Sequence, residues 1–90
     1  MPLSKHIILI ESQLNDALEA LDDATEDDAS IHDINEARRL TQLVLELFND
    51  TLNQCDSAGR QQLQLNFSLR MTYLRSRLLR MDKLAGSSLG

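Results

Sequence analysis

Residues 30–55 read SIHDINEARRLTQLVLELFNDTLNQC, and their apolar side chains recur at intervals of three and four residues. Ala37, Thr41, Val44, Phe48, Thr51 and Cys55 form a central stripe, with Leu40, Leu43 and Leu47 on one side of it and Ile34, Leu45 and Leu52 on the other. Projected at 100° per residue, the apolar arc spans roughly 200°, about twice what one packed face requires. The segment therefore predicts a helix that contacts two neighbouring helices, and Ser30 followed by Asp33 resembles a capping box at its start.

The segment before this helix carries a narrower stripe, made of Leu3, Ile7, Ile10, Leu14, Ala17 and Leu21 at alternating intervals of four and three. This heptad spacing predicts a first helix over residues 4–24, with Ser4 as its N-cap. The acidic run over residues 22–28 follows and predicts a solvated linker, because like charges crowd the negative end of the helix dipole.

The segment after residue 55 carries a third stripe, made of Leu63, Phe67, Met71, Leu74, Leu78, Met81 and Ala85. It predicts a helix over residues 57–85 that ends at Gly86, with residues 86–90 as a flexible tail. The short connection between the second and third helices predicts an antiparallel hairpin. The expected fold is therefore an all-α, single domain over residues 1–85, with three helices at about 4–24, 30–55 and 57–85.

Composition agrees with this fold and narrows the cellular setting. Only three of the 90 residues are aromatic, whereas helix-favouring residues abound. Cys55 is the single cysteine, so no disulfide can form within the chain. No cleavable leader and no apolar run of about 20 residues are apparent. These features predict a cytoplasmic protein without a membrane association.

Three leucines of the third helix do not belong to its packed stripe. Leu65, Leu69 and Leu79 fall roughly 140–180° away from that stripe, where a monomeric bundle would leave them exposed. Scattered exposed leucines are ordinary in proteins, so one interpretation assigns them no role. Because small domains gain stability from association, we favour the alternative, a homodimer that forms a four-helix or six-helix bundle.

Charge is divided along the chain. Residues 1–59 hold thirteen of the fourteen acidic residues and a net charge of −10, whereas residues 60–90 hold six of the nine basic residues and a net charge of +5. Within the basic part, Arg70, Tyr73, Arg77 and Arg80 recur along one flank of the third helix. Arginines beside an aromatic ring suit phosphates and carboxylates. In an acidic protein, we expect them instead to pair with first-helix carboxylates (Glu11, Asp16, Glu19) or with the partner chain of the dimer.

Neither a catalytic nor a metal site emerges from the sequence. The acidic run lacks the glycine and glutamate spacing of an EF-hand. His32 and Glu36 share a helix face, but two ligands without a third make a poor zinc site. Cys55 is expected to be a small buried hydrophobe. The protein is therefore predicted to be no enzyme and to need no cofactor or metal.

The function predicted from the sequence is protein binding by a small regulator, chaperone or adaptor that uses a helical surface. The predicted contact residues are Leu65, Leu69, Arg70, Tyr73, Arg77, Leu79 and Arg80. Two alternatives remain open: a nucleic-acid-binding dimer of helical hairpins that uses the same arginines, and a structural assembly subunit.

Overall fold

A computed structural model describes the backbone of residues 3–89 and the side chains of residues 3–84. Helix α1 spans Leu3–Ala24, α2 spans Ile31–Gln54 and α3 spans Ser57–Leu89. The described residues include no strand. The predicted all-α, three-helix fold is confirmed.

The three helices run up, down and up along an elongated bundle of 46 × 17 × 15 Å. Between α2 and α3, Arg38 pairs with Asp82 near one end, and the rings of Phe48 and Phe67 meet edge to face further along, with centroids 6.2 Å apart. From the first contact to the second, residue numbers increase along α2 and decrease along α3, so the two helices are antiparallel. The predicted hairpin is confirmed.

Most residues of the predicted stripes form the core, whereas four are half-buried and Ala85 lies outside the described side chains; the half-buried ones are Leu3, Ile7, Cys55 and Leu78. The buried residues are Ile10, Leu14, Ala17, Leu21 and Ala24 in α1, Ala37, Thr41, Val44, Phe48 and Thr51 in α2, and Leu63, Phe67, Met71, Leu74 and Met81 in α3. Helices α1 and α2 make the most extensive contact, and α1 and α3 the smallest. Both α1 and α2 bury alanines, and short side chains allow two helix axes to approach each other closely.

The start of α2 is a capping box, as predicted. The Ser30 hydroxyl accepts a hydrogen bond from the Asp33 backbone N–H at 3.2 Å, and the Asp33 carboxylate accepts one from the Ser30 N–H at 3.0 Å. This exchange satisfies two backbone donors that a helix start leaves without partners. The predicted start of α1 was wrong by one residue: the helix already includes Leu3, which packs against the core, so Ser4 lies inside the helix and is not its N-cap.

The connection between α2 and α3 contains only Cys55 and Asp56. The Asp56 side chain accepts a hydrogen bond from the Gly59 N–H at 2.8 Å and so caps the start of α3. A Cβ atom at Gly59 would lie 3.1 Å from Cys55 Cβ and 3.2 Å from Asp56 Oδ1, which is tighter than ordinary van der Waals contact. A side chain at residue 59 would therefore require Cys55 or Asp56 to shift by a few tenths of an ångström.

The end of α3 differs from the prediction. The helix continues through Gly86 to Leu89 instead of ending at residue 85. Glycine costs a helix interior only about 1 kcal/mol relative to alanine, which does not by itself terminate a long helix. The flexibility predicted for residues 86–90 stays a prediction, and Gly90 lies outside the described residues.

One buried hydroxyl in the core is expected to lower the stability of the fold. The Thr41 hydroxyl is fully buried and, within the described residues, has no hydrogen-bond partner. An unsatisfied buried hydroxyl costs about 1–3 kcal/mol, so Thr41→Val should raise the free energy of unfolding by about 1 kcal/mol in denaturant melts. Thr51 provides a matched control on the same stripe, because its hydroxyl donates to the Leu47 carbonyl at 2.7 Å. Thr51→Val should not stabilise the protein, and equal gains from both changes would contradict the assignment.

The capping box should make the free energy of unfolding depend on pH. The hydrogen bonds from the Ser30 backbone and hydroxyl lower the pKa of Asp33. A carboxylate with a lowered folded-state pKa stabilises the fold fully above its unfolded pKa of about 4, and this contribution disappears as the pH falls through the folded value. Asp33→Asn should therefore destabilise the protein at pH 7 and make a smaller difference at acid pH. A difference in unfolding free energy that stays constant between the two conditions would contradict this account.

Candidate protein-binding surface

The seven predicted contact residues all lie on α3, but the helix separates them into two groups. Leu65, Leu69 and Leu79 are 81%, 87% and 63% exposed and form the outer face of α3, which points away from the core. Arg70, Tyr73, Arg77 and Arg80 lie on the edge of α3 that approaches α1. The structure therefore places the predicted residues on two adjoining surfaces, with Leu69 between them.

The edge group borders a groove between α1 and α3. This α1–α3 groove has a volume of about 330 Å³ and is lined by Leu14, Asn15, Leu18, Leu69, Arg70 and Tyr73. Leu14 is buried and Leu18 half-buried, so they provide an apolar floor. Leu69 and Tyr73 provide the wall on α3, and both expose large apolar surfaces. A shallow apolar groove flanked by polar groups is a common form of helix-binding site.

Two ion pairs join α1 to α3 at the ends of the groove. Arg70 lies 3.4 Å from Glu11, and Arg77 lies 2.6 Å from Asp22. From the first ion pair to the second, residue numbers increase along both helices, so α1 and α3 are parallel. The expected pairing of arginines with first-helix carboxylates is confirmed for Glu11.

Asp22 takes the place that we predicted for Asp16 and Glu19. The reason is helical geometry: Glu11 and Asp22 are eleven residues apart, close to three full turns, and so face the same side of α1. Asp16 is displaced from Glu11 by about 140° around the helix and cannot face α3 with it.

Arg77 is held in place by several contacts. Its Nη1 donates to the Tyr73 hydroxyl at 3.0 Å, its Nη2 donates to Asp22, and its guanidinium lies 5.8 Å from the centre of the Tyr73 ring. The hydrogen bonds to Asp22 and Tyr73 raise the pKa of Arg77 above its ordinary value. These contacts leave the Arg77 side chain only 20% exposed. They also orient the Tyr73 ring beside the groove.

Arg80 is the arginine of this edge that remains available. It is exposed and, among the described residues, forms no ion pair or hydrogen bond. It lines a second cavity of about 520 Å³ together with Thr25, Tyr73, Ser76, Arg77 and Leu84. An unpaired guanidinium beside an exposed aromatic ring is suited to a carboxylate on a partner.

The structure also reveals an apolar surface between α1 and α2 that the sequence analysis missed. Ile8 and Leu9 are 68% and 46% exposed, and they line a cavity of about 570 Å³ with Lys5, His6, Ser12 and Leu47. The sequence did contain a signal for this surface. Residues 7–10 are all apolar, and four consecutive helical residues point to more sides of the helix than one packed stripe covers.

Among the candidate polar groups outside α3, His6 and Cys55 line one cavity of about 440 Å³ together with Leu3, Thr51, Gln54, Asp56 and Gly59. Cys55 is half-buried at the C-cap of α2 and packs against the core. Within the described residues, no group of three or more His, Cys, Asp or Glu side chains could hold a metal ion. None of the helices, over the part of the chain that is described, has an apolar stretch long enough to cross a membrane.

The different environments of Arg77 and Arg80 predict different effects on stability. Arg77→Ala removes a largely covered side chain and its ion pair with Asp22, so it should lower the free energy of unfolding by about 1 kcal/mol. Arg80→Ala is the matched control and should change it by less than about 0.5 kcal/mol, as expected for an unpaired surface residue. Thermal or denaturant melts measure both. Equal losses for the two variants would show that the pairing of Arg77 contributes nothing.

Comparison with known proteins assigns the chain to a family. No curated protein and no solved structure shows a significant match to it. Residues 4–83 match the family model of the embryogenesis-like protein helical domain, which covers all of α2 and most of α1 and α3. The chain therefore belongs to the embryogenesis-like protein helical domain family.

Proposed function

We propose that this domain is a non-catalytic protein-binding module, acting as a regulator, chaperone or adaptor, and that its partner lies as a helix along the α1–α3 groove. The observation that carries the proposal is the exposure of Leu69 and Tyr73, at 87% and 52%, beside a floor of apolar side chains. Exposed large apolar groups grouped around a groove are typical of protein-interaction sites. Tyrosine and arginine are also enriched among the residues that dominate binding energies.

The charges at the groove indicate the chemistry of the partner. Helix α3 carries no acidic residue from Ser57 to Met81. Arg80 has no ion-pair partner among the side chains that the structure describes, and the 3.4 Å separation of Arg70 from Glu11 leaves Arg70 able to exchange partners. A helix with an apolar stripe and carboxylates along the side that faces α3 complements this surface. Such carboxylates would gain a charge-assisted hydrogen bond without displacing the well-held Arg77.

The nucleic-acid alternative receives less support from the same surface. Two arginines of the predicted row already pair with α1 carboxylates, so fewer positive charges are available to release counterions from phosphates. The part of the chain that supplies α1 and α2 has a net charge of −10, which repels a polyanion. The proposal also includes a cytoplasmic location, which an unpaired cysteine favours.

Two synthetic helical peptides test the proposal. Both carry leucines at positions i, i+3, i+4 and i+7, and they differ only in flanking glutamates or flanking lysines. We expect the glutamate peptide to bind in a fluorescence anisotropy titration. Tyr73→Ala and Arg80→Glu should each weaken its binding by at least about tenfold, because each removes a predicted anchor.

Arg75→Glu is the control for charge. Arg75 is exposed and, within the described part of the chain, unpaired, but it lies about 140° around α3 from Arg80. Its reversal should leave peptide affinity unchanged. Equal binding of the two peptides, or equal losses from the two charge reversals, would count against the groove. Tight binding of a single-stranded oligonucleotide that weakens steeply with salt would favour the nucleic-acid alternative instead.

A further inference from the structure

The outer face of α3 carries a second heptad seam. Leu65, Leu69, Thr72, Ser76 and Leu79 follow one another at intervals of 4, 3, 4 and 3, and all five are exposed. This spacing is the one that buries a narrow stripe between two helices. The same helix already buries its first stripe in the bundle, so α3 has one covered seam and one uncovered seam on opposite sides. We call the uncovered one the outer seam.

The two polar residues of the outer seam are prepared for burial. The Thr72 hydroxyl donates to the Ser68 carbonyl at 3.0 Å, and the Ser76 hydroxyl donates to the Tyr73 carbonyl at 2.7 Å. Because each hydroxyl is satisfied within its own helix, covering it would break no hydrogen bond and leave no unpaired donor. The small side chains at these positions also permit a close approach of another helix.

Three of the five seam positions are symmetric about Thr72, whereas Leu69 and Ser76 lie three residues before it and four residues after it and are offset by one residue. Leu65 lies seven residues before Thr72, and Leu79 lies seven residues after it. We propose that the outer seam binds the outer seam of a second copy of this chain, with the two α3 helices antiparallel and the two-fold axis passing at Thr72. This symmetry places Leu65 of each copy against Leu79 of the other, at both ends of the contact, and brings the two Thr72 residues together at the centre.

Charge selects the antiparallel orientation. The later part of α3 carries Arg75, Arg80 and Lys83 around the seam, whereas the earlier part carries the uncharged amides Gln61, Gln62, Gln64 and Asn66. An antiparallel dimer sets the basic part of one copy against the amide-bearing part of the other, whose carbonyl oxygens can accept hydrogen bonds from guanidinium groups. A parallel dimer would instead place the basic residues of the later part of α3 opposite the same basic residues of the other copy.

The dimer and the partner groove share Leu69, which belongs to the outer seam and also lines the groove. The other leucines of the outer seam, Leu65 and Leu79, do not line the groove, and Tyr73 and Arg80 of the groove edge do not belong to the seam. Variants of Leu65 and Leu79 therefore test the dimer without testing the proposed function, and either proposal can fail while the other holds.

Sedimentation equilibrium of the full chain tests self-association. At about 100 µM we expect twice the 10.2 kDa mass of one chain. Leu65→Glu and Leu79→Glu should each raise the dimer dissociation constant at least about a hundredfold, because two-fold symmetry introduces every substitution twice. Circular dichroism should show unchanged helix content, since both leucines are exposed in one copy. Ile8→Glu is the matched control, since Ile8 is 68% exposed on α1, and it should leave the dimer intact.

Disulfide trapping tests the orientation in a Cys55→Ser background. A mixture of Leu65→Cys and Leu79→Cys chains should form a disulfide-linked heterodimer under mild oxidation, because antiparallel pairing brings these positions together. Chains carrying only Leu65→Cys should form no such link with one another. A monomeric mass at about 100 µM, a dimer broken by Ile8→Glu but not by Leu79→Glu, or efficient linking of Leu65→Cys chains alone would each overturn the proposal.

Discussion

The burial of α2 between two helices is the constraint on which the bundle depends. Its apolar arc is wider than one packed face requires, α2 contacts both α1 and α3, and Ala37 and Val44 are completely buried. An arrangement built around a central helix brings the two outer helices together less closely than it brings either to α2. The α1–α3 contact is accordingly the smallest of the three, and the groove lies along it.

The opposite charges of the two parts of the chain meet at the α1–α3 contact, where the apolar packing is least extensive. The acidic α1 and the basic α3 meet through Glu11 with Arg70 and Asp22 with Arg77. Partly exposed ion pairs contribute little to stability, but incorrect alignments of α1 on α3 would lose them. The polarity of the sequence thus favours one placement of two helices that share few core contacts. Within the described part of the chain, Arg80 has no such partner, and it lies beside Tyr73 at the edge of the groove.

Much of the fold could be predicted from the sequence because the buried residues of a helix recur every three or four positions. Most residues of the three stripes became the core, and the Ser30 and Asp33 pair became the capping box. Periodicity does not record which neighbour covers each side of a helix or how far one helix is shifted along another. The prediction therefore found the arginine row but chose Asp16 and Glu19 instead of Asp22. It also treated Leu79 and Arg70 as parts of one surface, although they lie on different sides of α3.

Gly59 has an effect that reaches well beyond its own turn. The connection between α2 and α3 is so short, and residue 59 so closely surrounded by Cys55 and Asp56, that the backbone itself determines where α3 begins relative to α2. Repacking of core side chains can widen the spacing between these helices, but it cannot slide one along the other. The register of α3 is thus set at its first turn. The positions of Leu65, Tyr73 and Arg80 on the molecular surface follow from it, and a larger residue at position 59 would press on Cys55 and Asp56, the two residues that connect α2 to α3.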